Sequence, residues 1–153
     1  MKFLFAVFIT CFGFVGTAQA CPDYTLWGNE VYNSTGGQLF SPRQFNVVAG
    51  GDNNLQRCGF ASGVDGFVIT EPDFSFDLSG MNGYRIVIDV KSNCDSVLLA
   101  NTADTQWYYD DDSNGNADPR LDIGNPGNGV LDVWVGTFDG QTCNAVLTLE
   151  TFN

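Results

Sequence analysis

From residue 84 onward, apolar and polar residues alternate in a way that only half-buried β-strands explain. A strand points successive side chains to opposite faces, so a period of two marks one buried face and one exposed face. Over residues 84–91, Tyr84, Ile86, Ile88 and Val90 share one face, and Arg85, Asp89 and Lys91 share the other with Val87. Residues 130–135 set Leu131, Val133 and Val135 against Asp132 and Trp134. Residues 145–152 set Ala145, Leu147 and Leu149 against Thr148 and Glu150. Shorter candidate strands lie at 45–49, 66–70, 74–78, 97–101 and 106–109. No stretch carries apolar residues at helical spacing.

Turn signals separate these runs. Asn33-Ser34-Thr35-Gly36-Gly37, Gly50-Gly51-Asp52-Asn53-Asn54, Asn82-Gly83, Asn125-Pro126-Gly127-Asn128-Gly129 and Asp139-Gly140 are rich in Gly and Asn. Both residue types tolerate positive φ, so each cluster can reverse the chain at little steric cost. Short strands at this spacing predict an all-β fold, an antiparallel β-sandwich or jelly roll. Before residue 84 the pattern is looser, which predicts edge strands and loops there. Neither a linker nor an internal repeat divides residues 21–153, so one domain is expected.

Residues 1–20 read as a signal peptide. Lys2 supplies the positive start, an apolar run follows, and Ala18-Gln19-Ala20 gives the small-x-small pattern that is cleaved after Ala20. The apolar run is shorter than a membrane span. The expected location is therefore secreted or periplasmic, with no transmembrane segment.

Removing that leader also removes Cys11. Cys21, Cys58, Cys94 and Cys143 remain, an even number that in an exported chain reads as two disulfides with three pairings open. Cys21–Cys58 with Cys94–Cys143 is favoured, because each bond then closes one half of the chain. A lipid-anchored Cys21 is the rival reading. It lacks the usual aliphatic residue three positions earlier and would strand one of the other three cysteines.

Charge and composition narrow the function classes. The chain has 18 Asp and Glu against 6 Lys and Arg, and no histidine. Without imidazole there is no Ser-His-Asp or Cys-His machinery and no ordinary neutral-pH general base. A net charge of −12 would be repelled by nucleic-acid phosphates and by anionic membrane surfaces. A non-catalytic binding or accessory module with a protein or glycan ligand is the class that remains, and a structural cell-surface protein is its alternative. Paired carboxylates alone can hydrolyse glycosides. Asp73, Asp77, Asp89 and Asp132 lie in or beside strands, but alternation assigns them to solvent faces.

The order of motifs after residue 83 resembles a known family. Tyr84-Arg85-Ile86-Val87-Ile88, Cys94-Asp95-Ser96-Val97-Leu98-Leu99, an acidic loop at 110–115, Gly129-Val130-Leu131-Asp132-Val133-Trp134-Val135-Gly136 and Leu147-Thr148-Leu149-Glu150 follow one another as in the bacterial pre-peptidase C-terminal domain. In the earlier half, Val48-Ala49-Gly50-Gly51 and Pro72-Asp73-Phe74 look like parts of its small exported variants. The resemblance implies a β-sandwich that accompanies secreted peptidases without being a catalyst, with relatives in collagenases that bind collagen and calcium. It also implies a second alternative, the peptidase-associated domain of a secreted serine peptidase system, named by association with chemistry the chain lacks.

The acidic loop is the candidate metal site. Counting Asp110 as position 1 of a calcium loop, Asp112, Asn114 and Asp118 fall at ligand positions 3, 5 and 9, and Gly115 falls at the turn position 6. Asn116 falls at position 7, where a backbone carbonyl is the ligand. Leu121 stands where the bidentate Glu belongs, and no helix flanks the loop, so this is not an EF-hand. The competing reading is a solvated hairpin tip, in which Asn and Asp serve turn geometry. Just before the loop, Trp107, Tyr108 and Tyr109 form with Trp134 a candidate stacking platform for sugar or peptide. Core filling is the competing role, above all for Trp134. Asn33-Ser34-Thr35 reads as a turn rather than as a glycosylation site.

Overall fold

In a computed structural model, which describes residues 20–153, two β-sheets pack face to face. The leader and its cleavage pattern, apart from Ala20, lie outside the described residues. The strands in chain order are β1 (Glu30–Thr35), β2 (Arg43–Ala49), β3 (Asn53–Asn54), β4 (Phe67–Val68), β5 (Phe74–Ser79), β6 (Arg85–Ser92), β7 (Ser96–Asn101), β8 (Trp107–Asp110), β9 (Arg120–Ile123), β10 (Gly129–Thr137) and β11 (Cys143–Phe152). The first sheet runs β1-β5-β10-β4-β3, with β7 also on β10 and β8 on β7. The second runs β2-β11-β6-β9. Every pairing is antiparallel except β1 with β5. Among the described residues no helix is long and apolar enough to cross a membrane.

The alternating faces meet between the sheets. Ile86, Ile88 and Val90 of β6 and Leu147 and Leu149 of β11 pack against Phe74, Phe76 and Leu78 of β5 and Leu131, Val133 and Val135 of β10. Each such side chain contributes about 1.5–3 kcal/mol by leaving water, which makes this layer the main source of stability. Strand β5 therefore lies inside its sheet and feeds the core. The looser pattern before residue 84 describes β1, β2 and β3, which are edges, but not β5. Residues 33–35, read as a turn, are instead the end of β1, which runs beside β5 in register from Glu30↔Phe74 to Thr35↔Ser79.

The first sheet is covered on its second face as well. Leu55, Val68, Val97, Leu99 and Trp134 form a second apolar cluster, joined by Phe60, Val64, Trp107 and Tyr109. Segment 51–70 supplies much of this layer, including a 3-10 turn at Leu55–Arg57 in which the Gln56 N–H donates to the Asn54 side chain and the Leu55 N–H to the Gly66 carbonyl. A bond from Cys21 to Cys58 fastens the start of the domain to that turn. The other bond joins Cys94 to Cys143, so the pairs are those that close the two halves of the chain.

The first sheet is interrupted at one place along β10. β5 pairs with β10 from Gly129 to Val133, β4 pairs with it only at Thr137, and β7 pairs along the opposite edge. β5 and β4 thus share one edge of β10 and leave a break between them at residues 134–136. The Val135 N–H at that break donates to Asp73 Oδ2 at 2.7 Å, and the Val135 carbonyl accepts from the Gly50 N–H at 3.0 Å. A side chain and a loop replace the missing strand, as buried backbone groups require.

Candidate functional site

A groove of about 870 Å³ opens beside this break, between the edge strand of each sheet. Asn29 and Glu30 border it at the start of β1, and residues 46–48 border it on β2. Asp73, Phe74 and Ile69 line it from the first sheet, and residues 91–93 and 144–146 line it from the second. Its size is in the range of ordinary ligand sites, and its lining mixes apolar side chains with amides and two carboxylates.

Asp73 is the group with the most distinctive chemistry in that lining. It is only 8% exposed, and burial pushes its carboxyl up to about 7 against the opposing hydrogen bond from Val135. Asp132, on β10, is 3% exposed and is likewise pushed up to about 6, mainly by burial. Its Oδ1 accepts the Ser75 hydroxyl, and Ser75 Oγ in turn accepts the Gly28 N–H at 2.8 Å. Of these two acids only Asp73 lines the groove. Alternation assigned both to solvent faces. The structure corrects this: Asp73 turns into the break in the sheet, where it takes the Val135 N–H, and Asp132 lies beneath the chain at Gly28 and Ser75. Asp77 is exposed as expected, and Asp89 is partly exposed.

Each of the remaining charged residues of the groove has one polar neighbour. Glu30 accepts the Tyr32 hydroxyl. Lys91, the one basic residue of the lining, sends its Nζ to Asp118 Oδ2 at 3.3 Å.

The acidic loop does not gather its five predicted ligands round one point. Asp110 Oδ2 accepts from the Ser113 N–H at 3.1 Å, the Ser113 hydroxyl at 2.8 Å and the Arg120 N–H at 2.8 Å. Asp118 turns the other way. It is 2% exposed, and its Oδ1 accepts from the Ser92 N–H at 2.9 Å. Positive φ at Gly115, Asn116 and Ala117 swings the chain back and carries Asp118 beneath the end of β6. Asn114 donates its amide to the Val90 carbonyl at 3.5 Å. Asp111 is the residue under repulsion. Burial, then Asp112 and Asp110, and also Asp95, hold its carboxyl above the usual range. Among the described residues no group of three or more His, Cys, Asp or Glu side chains is arranged to hold a metal ion.

The aromatic residues are packing groups. Trp134 is fully buried, and Trp107 lies 5.3 Å from it between ring centroids. Tyr24 and Phe60 meet Trp107 edge-on at 5.8 Å and 5.1 Å. The Tyr109 hydroxyl donates to the Asp65 carbonyl at 2.9 Å, and burial pushes its pKa up to about 12. Tyr108 packs on the core between the sheets. The expected stacking platform is thus covered by the N-terminal segment and by segment 51–70. Sequence reasoning passed over Trp27, which is 62% exposed, and it passed over the groove, whose lining comes from six separate stretches of chain.

No protein-family model matches the chain, and no curated protein does. Among solved structures, the chain is similar to the crystal structure of Aeromonas hydrophila PliG, a periplasmic lysozyme inhibitor of g-type lysozyme, with a TM-score of 0.47 and 9% identity over 80% of this chain and 98% of that one.

Proposed function

We propose that the chain is an exported, non-catalytic module that binds a basic protein partner. The groove between the two sheet edges carries this reading, because it offers a broad concave surface of about 870 Å³ with apolar walls and a buried carboxylate. The acid excess supports a basic partner, since complementary charge raises the rate of encounter and suppresses wrong partners. Two disulfides support export into an oxidising compartment. The absence of histidine supports a non-catalytic role. The pre-peptidase resemblance belongs to the same reading as an accessory module, with its motifs falling on β6, β7, β10 and β11.

The test is a binding measurement on the purified, disulfide-bonded protein. The probes are basic secreted proteins that include a g-type lysozyme and a secreted serine peptidase, and acidic proteins of similar size are the controls. We expect a basic probe to bind with a dissociation constant on the order of 1 μM or tighter at physiological salt. Protein and glycoside substrates should show no turnover that survives repurification. Binding that vanishes by 0.15 M salt for every probe would leave only long-range attraction and overturn the reading, because the Debye length there is about 8 Å.

Calcium is a second proposal, supported by the crowding of Asp110, Asp111, Asp112 and Asp95, which a divalent cation relieves. Asp110 and Asp118 already accept bonds from protein donors, so the ion has to be gathered by rearrangement. Calorimetry should show binding no tighter than about 10⁻⁴ M, in the range of weak extracellular sites. Millimolar calcium should raise the melting temperature slightly, and chelator should reverse the rise. No heat at millimolar calcium would reduce the loop to a hairpin tip.

A further inference from the structure

We propose that the groove takes a lysine or arginine side chain of the partner and that Asp73 receives its charged head. This inference rests on the reading of the chain as a binder of basic proteins and names the contact that makes the binding specific.

Asp73 leaves most of its acceptor capacity unused. An ionised carboxylate has two oxygens and about four acceptor sites. Among the described residues Oδ2 accepts one bond, from the Val135 N–H, and Oδ1 accepts none. Asp73 is only 8% exposed, and its unpartnered Oδ1 lies at the groove surface, where it can take a donor from outside. Its companion Asp132 differs, being bonded to Ser75 and lying outside the groove. Asp73 is also held in place. Asn29 donates its N–H to the Pro72 carbonyl, and Glu30 donates its N–H to the Asp73 carbonyl. The carboxylate is therefore presented by a fixed backbone rather than by a mobile loop.

The groove also suits a long cationic side chain. Phe74, Val47 and Ala145 offer an apolar wall for a methylene stem, and the carboxylate lies among them. Glu30 adds a second negative charge at the β1 border. Lys91, the basic residue of the lining, directs its Nζ to Asp118 at 3.3 Å rather than to Asp73. A guanidinium or ammonium placed on Oδ1 gains a charge-assisted hydrogen bond to a largely buried carboxylate, stronger than a bond between neutral groups. It also removes the burden that burial places on Asp73, which already holds the proton more tightly than a free aspartate does. A neutral or acidic side chain gains neither.

The test compares substitutions of equal charge, so that overall attraction cancels. Asp73→Asn keeps an oxygen for the Val135 N–H and removes only the groove charge. Asp139→Asn removes an equal charge from an exposed turn. A third variant, Asn46→Trp, fills the groove from the exposed face of β2 without touching the core. Each is titrated with the basic probe that binds the parent protein best and with a decamer of arginine. We expect Asp73→Asn and Asn46→Trp to weaken binding of both probes at least tenfold, and Asp139→Asn to weaken it less than twofold. Near-ultraviolet circular dichroism checks that each variant is folded. Equal losses in Asp73→Asn and Asp139→Asn would overturn the inference and leave the binding function standing. Failure of the parent protein to bind any basic probe would overturn the function itself. Loss in Asn46→Trp alone would show that the groove binds without Asp73, and would overturn the assignment of the charged contact.

Discussion

Replacing Cys94 and Cys143 together by serine is expected to cost about 4 kcal/mol of folding stability, the entropy that a loop of this length regains in the unfolded chain. The bond spans 49 residues, against 37 for Cys21–Cys58. Its place in the topology adds to its effect. Cys94 lies where the chain leaves β6 in one sheet for β7 in the other, and Cys143 begins β11 after the return from β10. The bond therefore fastens two sheet-to-sheet crossings to each other, at a point where the Phe138 N–H also donates to the Asp95 carbonyl at 2.9 Å. A domain of ordinary stability has about 5–15 kcal/mol in all, so the variant should melt far below the parent or fail to fold at 37 °C. Urea unfolding of the oxidised parent and of the double serine variant measures the difference. A loss below about 1 kcal/mol would mean that the bond adds no constraint beyond what the sheets already impose.

The strands after residue 84 were legible because each has one face in the main core. Ile86, Ile88 and Val90, or Leu147 and Leu149, recur at the period that burial on one side demands. Strand β1 was hidden for the opposite reason. It is an edge, it joins its sheet through a parallel pairing with β5, and its residues 33–35 have the composition of a turn. The buried acids were hidden by a subtler effect. Alternation reports which residues share a face, but not whether a second layer covers the other face. That layer is built by segment 51–70, which has almost no regular structure and therefore no period to read. Trp134 is covered in this way, with Leu55, Val68 and Trp107 over it, whereas Asp73 is buried at the break in the sheet beside the Val135 N–H and Asp132 is buried beside Ser75. The conformation of the acidic loop was hidden for another reason. Its spacing matches a calcium loop at positions 1, 3, 5, 6 and 9, but positive φ at Asn116 and Ala117 redirects Asp118 toward Ser92, and no count of residues reveals that turn.

The second large effect concerns pH and rests on Asp73. Its carboxyl is pushed up to about 7 in the folded protein against 3.8 for an ordinary aspartate, so the folded state prefers the protonated form. A group shifted in this direction stabilises the fold fully below its unfolded value, and that contribution is lost as pH rises through the folded one. Between pH 5 and pH 8 the loss from Asp73 alone is about 2–3 kcal/mol, at 1.36 kcal/mol for each unit of difference between the two states. Asp132, pushed up to about 6, acts in the same direction. The parent protein should therefore be more resistant to urea at pH 5 than at pH 8. General charge repulsion predicts the same sign for any acidic protein, so the decisive measurement is the variant. Asp73→Asn retains an acceptor for the Val135 N–H but cannot ionise, and it should lose more than half of the difference between the two pH values. At pH 8 it should be more stable than the parent, by roughly 4 kcal/mol at most. Asp139→Asn, which removes the same charge from an exposed turn, should leave the pH dependence almost as it was. A variant Asp73→Asn as pH-sensitive as the parent would show that the carboxylate is solvated through the groove. The same result would remove the reason why a partner's cation should prefer Asp73 to any other acid on the surface.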